Sequence, residues 1–281
     1  MTYTTLIDAG ALQALLASGA ATVVVDTGFE LADTGAGERA WRAAHLRGSF
    51  YLHLDRDLSG AKTGRNGRHP LPERAAFAAT LGRLGIGPQT QVVALDRQGG
   101  PYAARLWWLL RWLGHEAVAV LDGGLAAWQA AGGALDGTAP VAHATSPYPE
   151  RAPLAATIDS DTLAAQLGRL QLVDARAGER FRGEVEPIDA AAGHIPGALN
   201  RCFKDNLGAD GRFKPAATLQ REFALLLGTA VGASVVHQCG SGVTACHNLF
   251  AMELVGRSGS ILYPGSWSEW SADPARPIAL G

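Results

Sequence analysis

The sequence repeats four landmarks in the same order in its two halves. An apolar run ending in aspartate precedes a His-x-x-Gly turn, first as TVVVD and HLRG and again as LQLVD and HIPG. A second apolar run then ends at Asp96 in the first half and at Cys239 in the second. Each half closes on a motif that ends in tryptophan, VLDGGLAAW and LYPGSWSEW. Chance rarely preserves both order and spacing, so the repeat predicts a duplicated domain.

The stretch between the two halves predicts a linker. It is rich in Gly, Ala, Pro and Ser and has neither helical nor strand periodicity. We therefore predict an N-terminal domain at 1–135, a linker at 136–156 and a C-terminal domain at 157–281. A chain of 281 residues is long enough for two domains of ordinary size.

Short β-branched runs alternate with helical stretches in both halves. Strands are predicted at 22–25, 91–95, 117–121, 170–173, 234–237 and 260–262, and helices at 72–84, 103–113, 217–227 and 244–255. Alternation of this kind is typical of βαβ units, in which helices cover both faces of a parallel sheet. The prediction is an α/β fold used twice, each copy a mainly parallel sheet flanked by helices.

Charge, hydropathy and cysteine content narrow the range of partners. A formal net charge of -2 gives no reason to expect a nucleic-acid or membrane-surface partner. No apolar run approaches the ~18 residues of a membrane span, and the N-terminus lacks the features of a signal peptide. The three cysteines form no CxxC pair, and the histidines have no metal-site spacing. We expect a cytoplasmic protein without metal or cofactor, acting on a small molecule or a protein partner.

Cys239 follows a predicted strand and precedes a predicted helix, in the loop CGSGVTA. Ligands of open α/β sheets bind beyond the carboxyl ends of the strands. Gly240 and Gly242 allow unusual backbone dihedrals, so that successive N–H groups can converge on one point. The helix that begins near Thr244 adds its positive end. This setting favours a thiolate, the nucleophilic form of cysteine, over a buried apolar thiol.

The same loop argues against a cysteine phosphatase. Such an enzyme needs an arginine at the sixth position after the cysteine to clamp phosphate, and Ala245 stands there.

The loop from Cys239 to Ala245 resembles that of the 3-mercaptopyruvate sulfurtransferases, which belong to the tandem-domain rhodanese family. HIPGALN at 194–200, VLDGG at 120–124 and GSWSEW at 265–270 look like rhodanese-domain signatures. The resemblance covers essentially the whole chain. It implies two rhodanese-like domains, of which the N-terminal one is catalytically silent because Asp96 stands where the second repeat has Cys239.

The resemblance also implies a mechanism. Cys239 would take sulfur from a small-molecule donor as a persulfide and pass it to a thiol or thioredoxin-like acceptor. Members that prefer thiosulfate carry cationic residues in the loop, whereas this loop is neutral, which favours 3-mercaptopyruvate as donor and pyruvate as product. The N–H groups expected around the persulfide belong to Gly240, Ser241, Gly242, Val243, Thr244 and Ala245.

A donor carboxylate needs a cationic partner, and Arg180 in ERFRG matches the substrate arginine of the family. The family has a second arginine directly after a Glu-Pro dipeptide, but Ile188 occupies that position in this chain. Arg176 and Arg182 are both candidates for the missing cation, and the sequence does not choose between them.

The resemblance further implies a Ser–His–Asp relay, matched by Ser241, His69 and Asp55. In such a relay the carboxylate orients the imidazole, which polarises the hydroxyl. His69 and Asp55 come from the first half of the sequence, so the site is predicted to lie between the domains.

Two alternatives stay open. The same cysteine could serve a thiosulfate:cyanide sulfurtransferase, or the chain could be a non-catalytic persulfide carrier or regulatory protein. Duplication within one chain predicts a monomer in each case.

Overall fold

A computed structural model describes residues 2–144, 146–230 and 232–281. The chain forms two compact units. The N-terminal unit comprises Met1–Gly60, Pro72–Leu154 and Asp210–Arg212, and the C-terminal unit comprises Ala61–Leu71, Ala155–Ala209 and Phe213–Gly281.

The N-terminal unit alternates strands with helices. Its elements are β1 (Leu6–Ile7), α1 (Ala9–Ala17), β2 (Thr22–Asp26), α2 (Ala36–Ala43), β3 (His45–Leu46), β4 (Phe50–Tyr51), α3 (Leu54–Asp57), α4 (Arg74–Arg83), β5 (Gln91–Leu95), α5 (Pro101–Trp112), β6 (Val118–Leu121), α6 (Gly124–Ala130) and β7 (Leu135–Asp136). Five strands form a parallel sheet in the order β1-β6-β5-β2-β4, and β3 pairs with β7 in an antiparallel ribbon.

The C-terminal unit repeats this plan. Its elements are β8 (Ala156–Thr157), α7 (Ser160–Ala165), β9 (Gln171–Asp174), α8 (Gly178–Phe181), β10 (Leu199–Asn200), a 3-10 turn (Phe203–Asn206), α9 (Ala216–Leu227), a second 3-10 turn (Gly232–Ser234), β11 (Val235–Gln238), α10 (Ala245–Leu254), β12 (Ile261–Leu262) and α11 (Ser266–Trp270). The parallel order β10-β9-β11-β12-β8 matches β4-β2-β5-β6-β1 strand for strand. The predicted fold class, an α/β fold used twice, is confirmed.

The central strands are buried on both faces, which explains the apolar run in each of them. Every residue of β5 is buried. In β11, Val235 packs with Leu219 and Phe223, whereas its neighbour Val236 packs with Trp267. Successive side chains of a strand point to opposite faces, so one short strand anchors an apolar layer on each side.

The compact units do not follow the predicted boundaries throughout. The stretch predicted as a linker groups with the N-terminal unit as far as Leu154. In it, Tyr148 is buried, and its N–H donates to the carbonyl of Ala78 at 3.0 Å. Thr145 of the same stretch lies outside the described residues. Within the described ranges, no helix has the length and apolar character needed to cross a membrane.

Candidate active site

Cys239 lies directly after β11, at the carboxyl end of the central strand of the C-terminal sheet, and is only 1% exposed. The loop that follows it leads into α10 at Ala245. Of the two glycines in the loop, Gly242 has a positive φ of 75°, and a Cβ there would lie 2.4 Å from the carbonyl oxygen of Pro264. The backbone at Gly242 therefore needs a glycine, as the sequence predicted.

Gly240 differs from the prediction, because its φ is not positive. Its missing side chain leaves room instead. A Cβ at Gly240 would lie 3.0 Å from Nη2 of Arg68 and 3.6 Å from Nη1 of Arg180. This glycine lets two guanidinium groups approach the loop next to Cys239.

Helix α11 fixes the backbone of the cysteine. The N–H of Trp267 donates to the carbonyl of Cys239 at 2.9 Å, and the N–H of Ser268 donates to that of Gly240 at 2.9 Å. The N–H of Cys239 donates to Oγ of Ser266 at 3.1 Å. Both polar backbone groups of Cys239 are therefore held by one helix, which limits the motion of the thiol.

Four other backbone N–H groups of the loop are suited to binding an anion. Among the described residues, none accepts a hydrogen bond from the N–H groups of Gly240, Ser241, Val243 or Thr244. Consecutive N–H groups in a turn that ends at a helix N-terminus are a favourable environment for an anion.

His69 and Ser241, two members of the predicted relay, lie together. His69 Nδ1 is 2.7 Å from Ser241 Oγ, and both side chains are buried. The segment 61–71, which carries His69, groups with the C-terminal unit. Gly67, with a φ of 79°, passes close to Gly265, and the N–H of Arg68 donates to Ser268 Oγ at 3.0 Å.

Asp55, the third predicted member, lies in the first turn of α3 in the N-terminal unit. Its backbone N–H donates to Nδ1 of His53 at 3.1 Å. Its part in the relay stays a prediction.

Arg180 lies in α8, and its guanidinium reaches the cysteine loop beside Gly240. Its Nη2 donates to both carboxylate oxygens of Glu186, at 2.7 and 2.9 Å, and to Oδ2 of Asp189 at 2.9 Å. Its Nη1 is the group nearer Gly240. The residue matched to the substrate arginine is therefore next to the loop but already carries internal counter-ions.

Arg68 is the second cation beside the loop, and the sequence reasoning missed it. Its Nη1 donates to Oδ1 of Asp189, while its Nη2 lies closest to Gly240. The available signal was its position directly before His69, in a motif already selected for the relay. Its role was hidden because the segment has no periodicity and its packing partners are some 200 positions away.

The two arginines left open by the sequence are paired with carboxylates, and Arg176 shares one of these, Glu186, with Arg180, since its Nη1 lies 3.4 Å from Glu186 Oε2. Arg176 is buried, donates to Asp174 Oδ2 at 2.7 Å and stacks over Trp267 at 4.6 Å from the ring centre. Arg182 is half exposed and pairs with Glu184 at 2.7 Å.

The turn that contains Ile188 is built around Glu186. The carboxylate accepts the backbone N–H groups of Ile188 and Asp189, each at 3.0 Å. Burial raises the pKa of Glu186, but the hydrogen bonds from Arg180 and from these two amides outweigh it, so the pKa lies below its ordinary value. Glu186 is therefore ionised at neutral pH.

In the N-terminal unit a carboxylate occupies the corresponding loop. Asp96, 1% exposed, accepts four backbone N–H bonds, from Gln98 at 2.9, Gly100 at 2.8, Tyr102 at 2.9 and Ala103 at 3.1 Å. Burial raises the pKa of Asp96, and the four amides oppose that rise. The loop amides of this unit are thus filled by the chain itself. In the described part of the chain, no group of three or more His, Cys, Asp or Glu side chains could hold a metal ion.

Comparison with known proteins places the chain in a family. A family model described as a rhodanese-like domain matches residues 8–131 and again 159–273. The chain belongs to the rhodanese-like family. Both repeats predicted from the sequence carry this domain, and the resemblance stated from the loop and its flanking motifs is confirmed.

Relatives of this rhodanese-like chain carry two kinds of name. A Pseudomonas aeruginosa protein named "Probable 3-mercaptopyruvate sulfurtransferase" is 49% identical over 92% of either chain. A thiosulfate sulfurtransferase of Cricetulus griseus is 34% identical over 92% of this chain and 88% of its own. The solved structure of 3-mercaptopyruvate sulfurtransferase from Leishmania major superposes with a TM-score of 0.85 at 28% identity, covering 95% of this chain and 74% of that one.

Proposed function

We propose that this chain is a sulfurtransferase that moves sulfane sulfur from 3-mercaptopyruvate to a thiol acceptor through a persulfide on Cys239. The observation that carries the proposal is the placement of Cys239 at the carboxyl end of β11. There the loop amides follow it in the chain, and the guanidinium groups of Arg68 and Arg180 lie beside Gly240, the next residue. The named activities of the relatives support the same chemistry.

The first half-reaction begins with attack of the Cys239 thiolate on the donor sulfur. A sulfur–sulfur bond forms as the carbon–sulfur bond breaks, and the electron pair moves to the methylene carbon. The resulting enolate takes up a proton and leaves as pyruvate. The amides of Gly240, Val243 and Thr244 stabilise the persulfide anion, because such N–H groups bind negative charge without reorganising.

The arginines bind the carboxylate of the donor. Arg68 Nη2 and Arg180 Nη1 both lie next to Gly240, so that a carboxylate above this glycine accepts from the two groups together. Arg68 thus supplies the second cation for the donor carboxylate. It replaces the arginine that the family has after the Glu-Pro dipeptide, a position that Ile188 occupies in this chain.

We assign delivery of the proton that the enolate takes up to the pair of His69 and Ser241. Ser241 Oγ lies 2.7 Å from His69 Nδ1, within reach for proton transfer, and Ser241 is two residues from the cysteine. In the second half-reaction, an acceptor thiolate attacks the outer sulfur and the Cys239 thiolate departs, which restores the enzyme. A small thiol or a thioredoxin-like protein fits the role of acceptor. The enzyme that we propose is monomeric and cytoplasmic.

The test combines mass spectrometry with steady-state kinetics. After incubation with 3-mercaptopyruvate and removal of the donor, the intact protein should gain the mass of one sulfur atom, located on Cys239. Two half-reactions that share one covalent intermediate should also give ping-pong kinetics. Cys239→Ser should abolish both the mass gain and turnover, and activity that persists in this variant would overturn the proposal.

A thiosulfate:cyanide sulfurtransferase is the second candidate, favoured by the presence of two arginines and by the thiosulfate sulfurtransferase among the relatives. Parallel kinetics with both donors decide between them. A persulfide that forms but is never passed to any thiol would instead favour the non-catalytic carrier.

A further inference from the structure

Asp189 lies between the two arginines of the candidate site. Its Oδ1 accepts from Arg68 Nη1, and its Oδ2 accepts from Arg180 Nη2 at 2.9 Å. The carboxylate is only 2% exposed, and Oδ2 would lie 3.9 Å from a Cβ at Gly240. One internal anion therefore joins both guanidinium groups directly beside the loop of the reactive cysteine.

This arrangement removes the net charge of the arginine pair. Arg68, Arg180 and Arg176, which also reaches Glu186, contribute three positive charges, and three buried carboxylates, those of Asp189, Glu186 and Asp174, contribute three negative charges. A donor meets two directional sets of N–H groups but no net positive charge. Hydrogen bonding to one carboxylate remains favourable, whereas a second negative charge on the donor has no counter-ion.

Asp189 accepts from only one Nη group of each guanidinium, so the other Nη group can bind the sulfur donor. Asp189 uses Nη1 of Arg68 and Nη2 of Arg180, and the opposite groups, Nη2 and Nη1, lie next to Gly240. A donor can therefore bind without displacing Asp189, which holds the two groups at a fixed spacing.

We propose that Asp189 determines donor selectivity by charge, favouring a monoanionic carboxylate donor and disfavouring a dianion such as thiosulfate. This inference rests on the proposed sulfur transfer at Cys239. It also replaces the neutral loop as the source of selectivity, since the cations are present beside the loop and are neutralised by Asp189 together with Glu186.

Asp189 suits a test better than Glu186. Glu186 also accepts two backbone amides of its turn, so its removal would disturb the local backbone. Both carboxylate oxygens of Asp189 face guanidinium groups. Asp189→Asn keeps the shape of the side chain and removes its charge.

The experiment measures kcat/KM for 3-mercaptopyruvate and thiosulfate in the wild type and in Asp189→Asn. The value of kcat/KM for thiosulfate, divided by that for 3-mercaptopyruvate, should rise roughly tenfold in Asp189→Asn. The reason is that one unit charge near a partly buried dianion is only weakly screened. The change should come mainly from a lower KM for thiosulfate. Added salt should lower the thiosulfate rate in the variant and should not lower it in the wild type.

Two variants serve as controls. Glu184→Gln makes the same charge change on a half-exposed carboxylate that pairs with Arg182, and should leave the donor ratio at the wild-type value. Asp189→Glu keeps the charge and should stay close to the wild-type ratio, whatever its effect on turnover.

The outcomes separate the inference from the function beneath it. An unchanged ratio in Asp189→Asn, with Cys239 still gaining sulfur, overturns the role of Asp189 alone. Failure of the wild-type Cys239 to gain sulfur from either donor overturns both. If Asp189→Asn does not fold, the wild type decides: a steep fall of its thiosulfate rate with salt would show an uncompensated positive site and overturn the inference.

Discussion

Ser266 has a φ of 54°, the one positive value among the described residues that are not glycine. Such a conformation costs of order 1–3 kcal/mol and persists where the surroundings demand it. The equivalent position of the first repeat is Gly124, also at 54°, where no side chain is needed. Ser266 Oγ accepts the N–H of Cys239 and donates to the carbonyl of Tyr263 at 2.9 Å. We infer that the serine is kept despite the strain because it positions the cysteine.

Replacing Ser266 by glycine and by alanine separates strain from positioning. Both variants lose the same hydrogen bonds, but only alanine keeps a Cβ at positive φ. Ser266→Gly should therefore be the more stable by about 1 kcal/mol in denaturant unfolding. Both should lose about tenfold in kcat because the cysteine is less well placed. Wild-type kcat in Ser266→Gly would reduce the serine to a structural residue.

The contact between His69 and Ser241 predicts that the two residues act as one unit. His69→Ala should lower kcat with 3-mercaptopyruvate by about 10²-fold, the usual size of a lost proton-transfer group. Ser241→Ala should lower it similarly, and the double variant should be hardly worse than either single one. Steady-state kinetics of the three proteins provide the measurement. Multiplying effects, or unchanged turnover in His69→Ala, would contradict the relay.

At the scale of elements, sequence patterns locate the buried strands and helices well and their ends less well. The strand predicted at 170–173 is β9 at Gln171–Asp174, because Asp174 pairs with Asn200 and Gln238 on both sides. Pairing of this kind depends on residues far along the chain and leaves no local pattern. The segment 61–71 escaped prediction for the same reason, and with it the role of Arg68.

The two glycines of the cysteine loop should respond differently to alanine. Gly242→Ala puts a Cβ at positive φ and 2.4 Å from a backbone oxygen that cannot easily move. It should destabilise the protein by more than about 2 kcal/mol. Gly240→Ala meets the ends of side chains and no backbone atom, chiefly Nη2 of Arg68, so it should fold with near wild-type stability but raise KM for the donor several-fold. Thermal melting and kinetics on both proteins check this contrast, and equal loss of stability would contradict it.

At the scale of the whole molecule, the two copies of the fold differ in the residue that directly follows the central strand, Asp96 in one and Cys239 in the other. Both sheets share the same strand order, and in both a loop leads from this strand into a helix. The N-terminal loop encloses the carboxylate of Asp96, whereas the C-terminal loop follows a thiol. The repeat in the sequence predicted this correspondence. The way Asp96 satisfies its own loop was not predictable, because it depends on the path of the backbone over seven residues.

Asp96→Asn tests whether the carboxylate is a structural replacement for a bound anion. The amide nitrogen of asparagine would face two backbone N–H donors without an acceptor, for example those of Tyr102 and Ala103. We expect the free energy of unfolding of the N-terminal unit to fall by about 2–4 kcal/mol. Hydrogen exchange of the β5 amides measures this loss, because these amides report on this unit alone. Asp136→Asn, which affects a single bond to Thr138 in the same unit, is the matched control and should have little effect.

Sulfur transfer by the folded Asp96→Asn protein should match the wild type because Asp96 takes no part in the reaction. A lower kcat at full folding would show that the N-terminal loop contributes to the chemistry.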